Sequence, residues 1–63
     1  MERFTELIFD AIKDKREAIR LYNEILKATS FDTSFDIIEK IKGIRRQEKI
    51  HLKILEDIYD KCD

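Results

Sequence analysis

The sequence has no proline and no tryptophan, and only one glycine and one cysteine among its 63 residues. One cysteine cannot form an intramolecular disulfide framework, and the scarcity of proline and glycine excludes collagen-like and loop-rich folds. The longest fully apolar run covers residues 7–9, whereas a membrane-spanning helix needs roughly 20 apolar residues. These absences favour a small, soluble protein built from long helices, without a membrane partner.

Positive and negative charges nearly balance, with 13 Lys and Arg against 14 Asp and Glu and a formal net charge of −1. This balance of charge does not favour nucleic acid or an anionic membrane surface as a partner. Ile and Leu are too frequent for a disordered chain. Because the first residues lead into an amphipathic pattern and not into a secretory signal, we expect a cytoplasmic location.

Apolar residues recur with helical spacing in two long segments, which predicts an all-α fold. We predict one domain over residues 1–63, an antiparallel hairpin with helix 1 at about 3–29 and helix 2 at about 33–61. The apolar stripe of helix 1 consists of Phe4, Ile8, Ala11, Ile12, Ile19, Tyr22 and Leu26. The apolar stripe of helix 2 consists of Ile37, Ile41, Ile44, Leu55, Ile58 and Tyr59.

The segment between the helices repeats Thr-Ser-Phe-Asp twice in tandem, over residues 29–36. Ser, Thr and Asp side chains accept hydrogen bonds from free backbone N–H groups, so Asp32, Thr33 or Ser34 is expected to cap helix 2. Gly43 lies inside helix 2, where glycine costs about 1 kcal/mol against alanine. Gly43 either marks a place where another helix packs closely or has no structural role.

One hairpin cannot enclose a core, because each helix covers only one side of the other's wide stripe. We therefore expect self-association, with a dimer or a higher oligomer forming a four-helix bundle as the folding unit. Phe9, Phe31 and Phe35 lie off the stripes, where they are available for further contacts or to cover the end of the hairpin.

Three ionisable residues interrupt the stripes: Lys15 in helix 1, and Glu48 and His51 in helix 2. In an antiparallel hairpin that turns near residue 31, Lys15 lies level with Glu48, and His51 lies one turn away. Unpaired buried charges are costly, so the three groups must satisfy one another or bind a ligand. The Tyr22 hydroxyl is a candidate fourth member of this polar network.

A carboxylate and an imidazole three residues apart on one helix face can ligate a single metal ion, which makes Glu48 and His51 candidate ligands. Glu17-Ala-Ile-Arg-Leu-Tyr22 and Arg46-Gln-Glu-Lys-Ile-His-Leu52 resemble the ferritin-like superfamily, nearest to the rubrerythrin type and the short encapsulated ferritins. The resemblance covers roughly residues 5–60. It implies a four-helix bundle with a di-iron site between hairpins, used for ferrous oxidation, peroxide reduction or iron handling.

One position departs from the family's first-helix pattern Glu-x-x-Ala-Ile-x-x-Tyr. Ala18, Ile19 and Tyr22 match it, but the ligand Glu falls on Lys15. A protonated ammonium cannot ligate a metal and repels a divalent cation. Two hypotheses follow: a metal-free dimerisation or scaffold module in which Lys15 neutralises Glu48, or a protein that binds Fe, Mn or Zn through Glu48 and His51 of two chains, with iron oxidation or sequestration as its activity.

A third hypothesis concerns the outer side of helix 2, where basic residues fall within about 100° of arc. This basic stripe consists of Lys42, Arg45, Arg46, Lys49 and Lys53. It predicts either an anion-binding module or a contact with the acidic outer side of helix 1 in another molecule. The sequence assigns no catalytic residue, since it has one His, no Gly-rich phosphate loop and a single Cys62 far from that His.

Overall fold

Two helices of equal length run antiparallel in this computed structural model, which describes residues 2–62. Helix α1 spans Glu2–Lys27 and helix α2 spans Phe35–Asp60. The contacts between the helices show the antiparallel direction. Phe9 near the start of α1 contacts Tyr59 near the end of α2, and Asn23 near the end of α1 contacts Arg45 in the first half of α2. The all-α fold and the packed two-helix hairpin expected from the apolar spacing are confirmed for the described residues.

The connection between the helices is longer than the sequence predicts, because α1 ends at Lys27 and α2 begins at Phe35. Side-chain oxygens replace helical hydrogen bonds here: the Thr29 hydroxyl donates to the Leu26 carbonyl at 2.9 Å, and the Ser30 N–H donates to Thr33 Oγ1 at 3.0 Å. Among the three candidate caps, Ser34 is the N-cap of α2, since its hydroxyl accepts from the Asp36 N–H.

Each helix presents three parallel rows of residues at a spacing of seven, close to two helical turns. The rows between the two helices, here called the inner rows, contain the most buried side chain, Ile12, which is 3% exposed. The inner rows consist of Thr5, Ile12, Ile19 and Leu26 on α1 and of Ile38, Arg45, Leu52 and Tyr59 on α2. Burial between two helices alone therefore yields one buried side chain among the described residues.

The next two rows on each helix form one continuous surface, here called the apolar face. The middle rows are half-buried throughout, and consist of Ile8, Lys15 and Tyr22 on α1 and Ile41, Glu48 and Leu55 on α2. The outer rows contain two half-buried residues, Ala11 and Ala18, and six exposed ones: Phe4 and Ile25 on α1 and Ile37, Ile44, His51 and Ile58 on α2. Because Lys15 contacts Glu48, the two middle rows adjoin each other along the hairpin.

The opposite side of the hairpin, here called the charged face, carries mostly ionised side chains. It consists of Lys13, Arg16, Glu17 and Arg20 on α1 and Lys42, Arg46, Lys49, Lys53 and Glu56 on α2. An ion pair of 3.0 Å between Arg16 Nη2 and Glu56 Oε2 joins the two helices on this side. This division into an apolar face and a charged face follows directly from the spacing of residue types along each helix.

The three phenylalanines that lie off the sequence-predicted stripes have different surroundings. The Phe9 ring contacts the Tyr59 ring, with centroids 5.9 Å apart, and Lys13 Nζ lies 5.3 Å from its centroid. Phe31 is fully exposed and Phe35 is mostly exposed. Within residues 2–62, therefore, Phe9 makes a further contact between the helices, and neither of the other two covers the end of the hairpin.

The hairpin is long, thin and unusually exposed for its mass. It measures 50 × 14 × 11 Å with a radius of gyration of 14.8 Å, whereas a compact domain of this length has about 10.6 Å. The 7.6 kDa chain exposes 5102 Å², against roughly 4300 Å² for a compact monomer of that mass. The surplus reflects the elongated shape, which leaves large apolar side chains partly exposed on the apolar face and elsewhere on both helices.

Candidate functional site

The candidate site lies at the centre of the apolar face, both across its width and along its length. Lys15 occupies the middle of the α1 middle row, and Glu48 occupies the middle of the α2 middle row. Each is also close to the midpoint of its helix, since α1 spans Glu2–Lys27 and α2 spans Phe35–Asp60. The sequence therefore places its two polar interruptions where apolar residues surround them on both sides.

Lys15 and Glu48 form an ion pair between the helices, at the level that the antiparallel register predicts. Lys15 Nζ lies 3.1 Å from Glu48 Oε2 and 3.4 Å from Oε1, so one ammonium engages both carboxylate oxygens. The Lys15 side chain is 33% exposed and the Glu48 side chain 16% exposed. The carboxylate is the more desolvated partner, and the ammonium compensates for the lost hydration.

His51 lies beside this pair but is only loosely joined to it. Its Nδ1 is 3.7 Å from Glu48 Oε1, and its side chain is 49% exposed. That separation is too long for a hydrogen bond. His51 occupies the α2 outer row between Ile44 and Ile58. The three ionisable groups lie at one height along the hairpin, and the single hairpin leaves all three partly exposed.

Tyr22, the fourth predicted member of the polar network, is half-buried two turns along α1 from Lys15. Within residues 2–62 its hydroxyl has no hydrogen-bond partner. The structure thus brings together Lys15, Glu48 and His51, whereas Tyr22 lies in the α1 middle row without joining this cluster.

The donor set of one hairpin does not fit a dinuclear iron centre. Such a centre needs several carboxylates and imidazoles converging on one point. Among residues 2–62, no group of three or more His, Cys, Asp or Glu side chains is arranged to hold a metal ion. Lys15 also places an ammonium within 3.4 Å of both oxygens of the candidate ligand Glu48.

The basic stripe predicted on helix 2 is partly neutralised by its own helix. Lys42 Nζ lies 3.5 Å from Glu39 Oε2, and Lys53 Nζ lies 3.8 Å from Asp57 Oδ1. Both pairs are exposed, so each contributes little to stability. Their effect is to neutralise the two ends of the stripe and leave the positive charge at its centre.

Arg45, which the sequence assigns to the basic stripe on the outer side of helix 2, lies instead in the inner row and has a partner that sequence reasoning missed. Its Nη1 donates to Asn23 Oδ1 at 2.8 Å, which joins α2 to α1. A signal was available: Arg45 interrupts the apolar inner row between Ile38 and Leu52, as Lys15 interrupts its own row. Cys62 carries a free thiol, which donates to the Ile58 carbonyl at 3.3 Å.

Comparisons with protein-family models, with curated proteins and with solved structures give no match for this chain. Among the described residues, neither helix is both long enough and apolar enough to cross a membrane. The site consists of an ion pair between the helices at the centre of the uncovered apolar face, and an imidazole lies beside that pair.

Proposed function

We propose that this chain is a self-associating, metal-free scaffold module. Two hairpins pack through their apolar faces into a four-helix bundle of the ferritin-like kind, and Lys15 takes the position of the first-helix metal ligand. The observation that carries the proposal is the Lys15–Glu48 ion pair, 3.1 Å long and centred on the apolar face. A cytoplasmic location is the matching expectation from the sequence.

The exposed area supports a second copy of the chain as the partner. The surface beyond that of a compact monomer amounts to about 800 Å² per chain, which is the area that each partner contributes to a standard interface. Exposed outer-row side chains such as Ile25, Ile37 and Ile44 lie on the surface that such an interface would cover. Their burial against a second copy is the simplest way to complete a core.

The position of the ion pair supports the same partner. In a twofold-symmetric dimer, one surface patch meets its own copy. Because Lys15 and Glu48 lie near the midpoints of their helices, full overlap of the two apolar faces brings the two ion pairs to the same level. Two ammonium and two carboxylate groups then neutralise one another, so no unpaired charge is buried.

The proposal is tested by measuring mass and metal content on the same samples. Sedimentation equilibrium over a concentration series is expected to give twice the 7.6 kDa chain mass, with a melting temperature that rises with concentration. Elemental mass spectrometry after incubation with Fe(II), Mn(II) and Zn(II) and desalting is expected to find no retained metal. A monomer at every concentration that melts at one temperature would contradict self-association.

A second candidate function, metal binding across the dimer, is favoured by the 3.7 Å separation between Glu48 Oε1 and His51 Nδ1. Two chains would offer two Glu48 carboxylates and two His51 imidazoles for one mononuclear site. One retained metal per two chains would support this candidate against the scaffold. The variant Lys15→Glu also distinguishes the scaffold from the metal-binding candidate. Under the scaffold proposal, metal binding is expected to appear in this variant. The stability of its metal-free form is expected to fall, because carboxylates then cluster.

A further inference from the structure

Most cationic side chains of the hairpin have a carboxylate partner, and most of those without one lie close together on α2. Nine of the 13 Lys and Arg residues form an ion pair within residues 2–62. In that part of the chain the four without one are Arg45, Arg46, Lys49 and Lys61. Three of these four lie within five consecutive positions of α2, which span about 6 Å along the helix axis.

The Arg45 guanidinium is held in place without being neutralised. Its Nη1 donates to Asn23 Oδ1 at 2.8 Å, and the side chain is half-buried between the helices. Asn23 is a neutral acceptor, so the full positive charge of the guanidinium remains. An ordered cation loses less conformational entropy when it binds an anion than a freely moving one.

Four cationic side chains border one open depression on the surface of α2. They are Lys42, Arg45, Arg46 and Lys49. The depression belongs to the charged face, away from the apolar face, so self-association through the apolar face leaves it accessible. Beyond it, Glu39 pairs with Lys42 on one side and Asp57 pairs with Lys53 on the other.

We propose that this depression binds a compact phosphate-class oxyanion, such as inorganic phosphate or pyrophosphate. Arginine guanidinium groups match two oxygens of a phosphate at once, and Lys49 adds a point charge beside them. The carboxylates beyond each end favour a compact anion over an extended one, because a long polyanion would meet Glu39 and Asp57. The inference stands apart from the scaffold function and does not need a dimer.

The experiment titrates inorganic pyrophosphate into the full chain at low ionic strength and follows backbone amide NMR shifts. We expect saturable binding, with shifts confined to the α2 turn around Arg45 and to neighbouring Asn23 on α1. The variant Arg46→Gln/Lys49→Gln is expected to bind about tenfold more weakly, because each exposed charge contributes up to a fewfold in affinity. Lys61→Gln removes one unpaired cation outside the depression and is expected to bind like the native chain.

Asn23→Ala tests the positioning of Arg45 without changing any charge. It is expected to weaken pyrophosphate binding several-fold, while circular dichroism stays that of a helical hairpin. Equal weakening per charge removed in Lys61→Gln and Arg46→Gln/Lys49→Gln would overturn the proposal, because binding would then depend on net charge alone. An absence of saturable shifts would overturn it as well. Affinity that increases steadily with the length of an oligonucleotide would overturn the compact site in favour of an extended polyanion surface.

Discussion

Each face of the hairpin carries a prominent ion pair. The pair on the charged face has the shorter contact, whereas the pair on the apolar face is the less exposed to water. On the charged face, Arg20 makes three contacts of 2.6–3.2 Å with the carboxylate of Glu17 one turn away. On the apolar face, Lys15 reaches Glu48 at 3.1 Å. Removal of one partner is expected to cost more in the longer pair, because Glu48 is mostly shielded from water whereas both partners of the shorter pair remain exposed.

The protonation behaviour of the exposed pair follows from its contacts. The side-chain hydrogen bonds from Arg20 lower the pKa of Glu17 below its usual 4.5, and those bonds also raise the pKa of Arg20. Both side chains are exposed, so water competes for every contact. The comparison teaches that ideal geometry on the surface fixes a side chain, while desolvation decides how much an ion pair contributes to the fold.

The largest expected effect comes from placing a charge on the apolar face. Ile44→Glu puts an unpaired carboxylate in the α2 outer row, where the proposed second copy packs, and each dimer then contains two. We expect the dimer dissociation constant to rise at least about 100-fold, measured by sedimentation equilibrium. The matched variant Lys49→Glu changes the charged face instead, and dissociation of the dimer to the same extent in both would contradict the assignment of the faces.

The next effect comes from breaking the central ion pair. Lys15→Met leaves the Glu48 carboxylate without its partner, and we expect the free energy of unfolding to fall by about 2 kcal/mol, less than for a fully buried pair. Lys15→Met/Glu48→Leu removes both charges and is expected to restore stability to within about 1 kcal/mol of the native chain. Urea denaturation at fixed protein concentration measures all three. A double variant as unstable as Lys15→Met would show that the pair itself stabilises the hairpin.

A smaller effect is expected at Gly43. A Cβ atom added there has no heavy atom within 4 Å in the hairpin, leaving out its chain neighbours and the local helix backbone. Gly43→Ala is therefore expected to raise the free energy of unfolding by about 1 kcal/mol through helix propensity. Thermal melts at several concentrations measure this gain. A loss of stability that grows as the dimer forms would instead place Gly43 in close contact with the second copy.

The smallest effect is expected from the exposed pair. Because the pKa of Glu17 is lowered in the folded chain, its contribution to stability is present above the usual carboxyl pKa and is lost as the pH falls through the folded value. Arg20→Gln removes this contribution, so native and variant chains are expected to differ slightly at neutral pH and to converge in acid. Denaturation at both pH values checks this, and a difference that increases in acid would contradict the sign.

Spacing along the chain predicted most of the fold. The apolar period of each helix and the polar turn residues are local properties, and the common level of Lys15 and Glu48 follows from them once the chain reverses between the helices. The ends of the helices near the turn were less predictable, because Thr29 and Ser34 form side-chain hydrogen bonds that compete with helical ones. The site was predicted as a set of residue types, whereas the exposure of His51 and the isolation of the Tyr22 hydroxyl were not.

The sequence by itself determined that this protein is a helical hairpin with one apolar and one charged face, because helical periodicity assigns each side chain to a side. Only the tertiary structure decided which groups meet. Lys15 engages both oxygens of Glu48, Arg45 donates to Asn23, and Phe9 contacts Tyr59. The physical reason is that contacts between helices depend on side-chain reach and on the relative rotation of the two axes, which no pattern within one helix specifies.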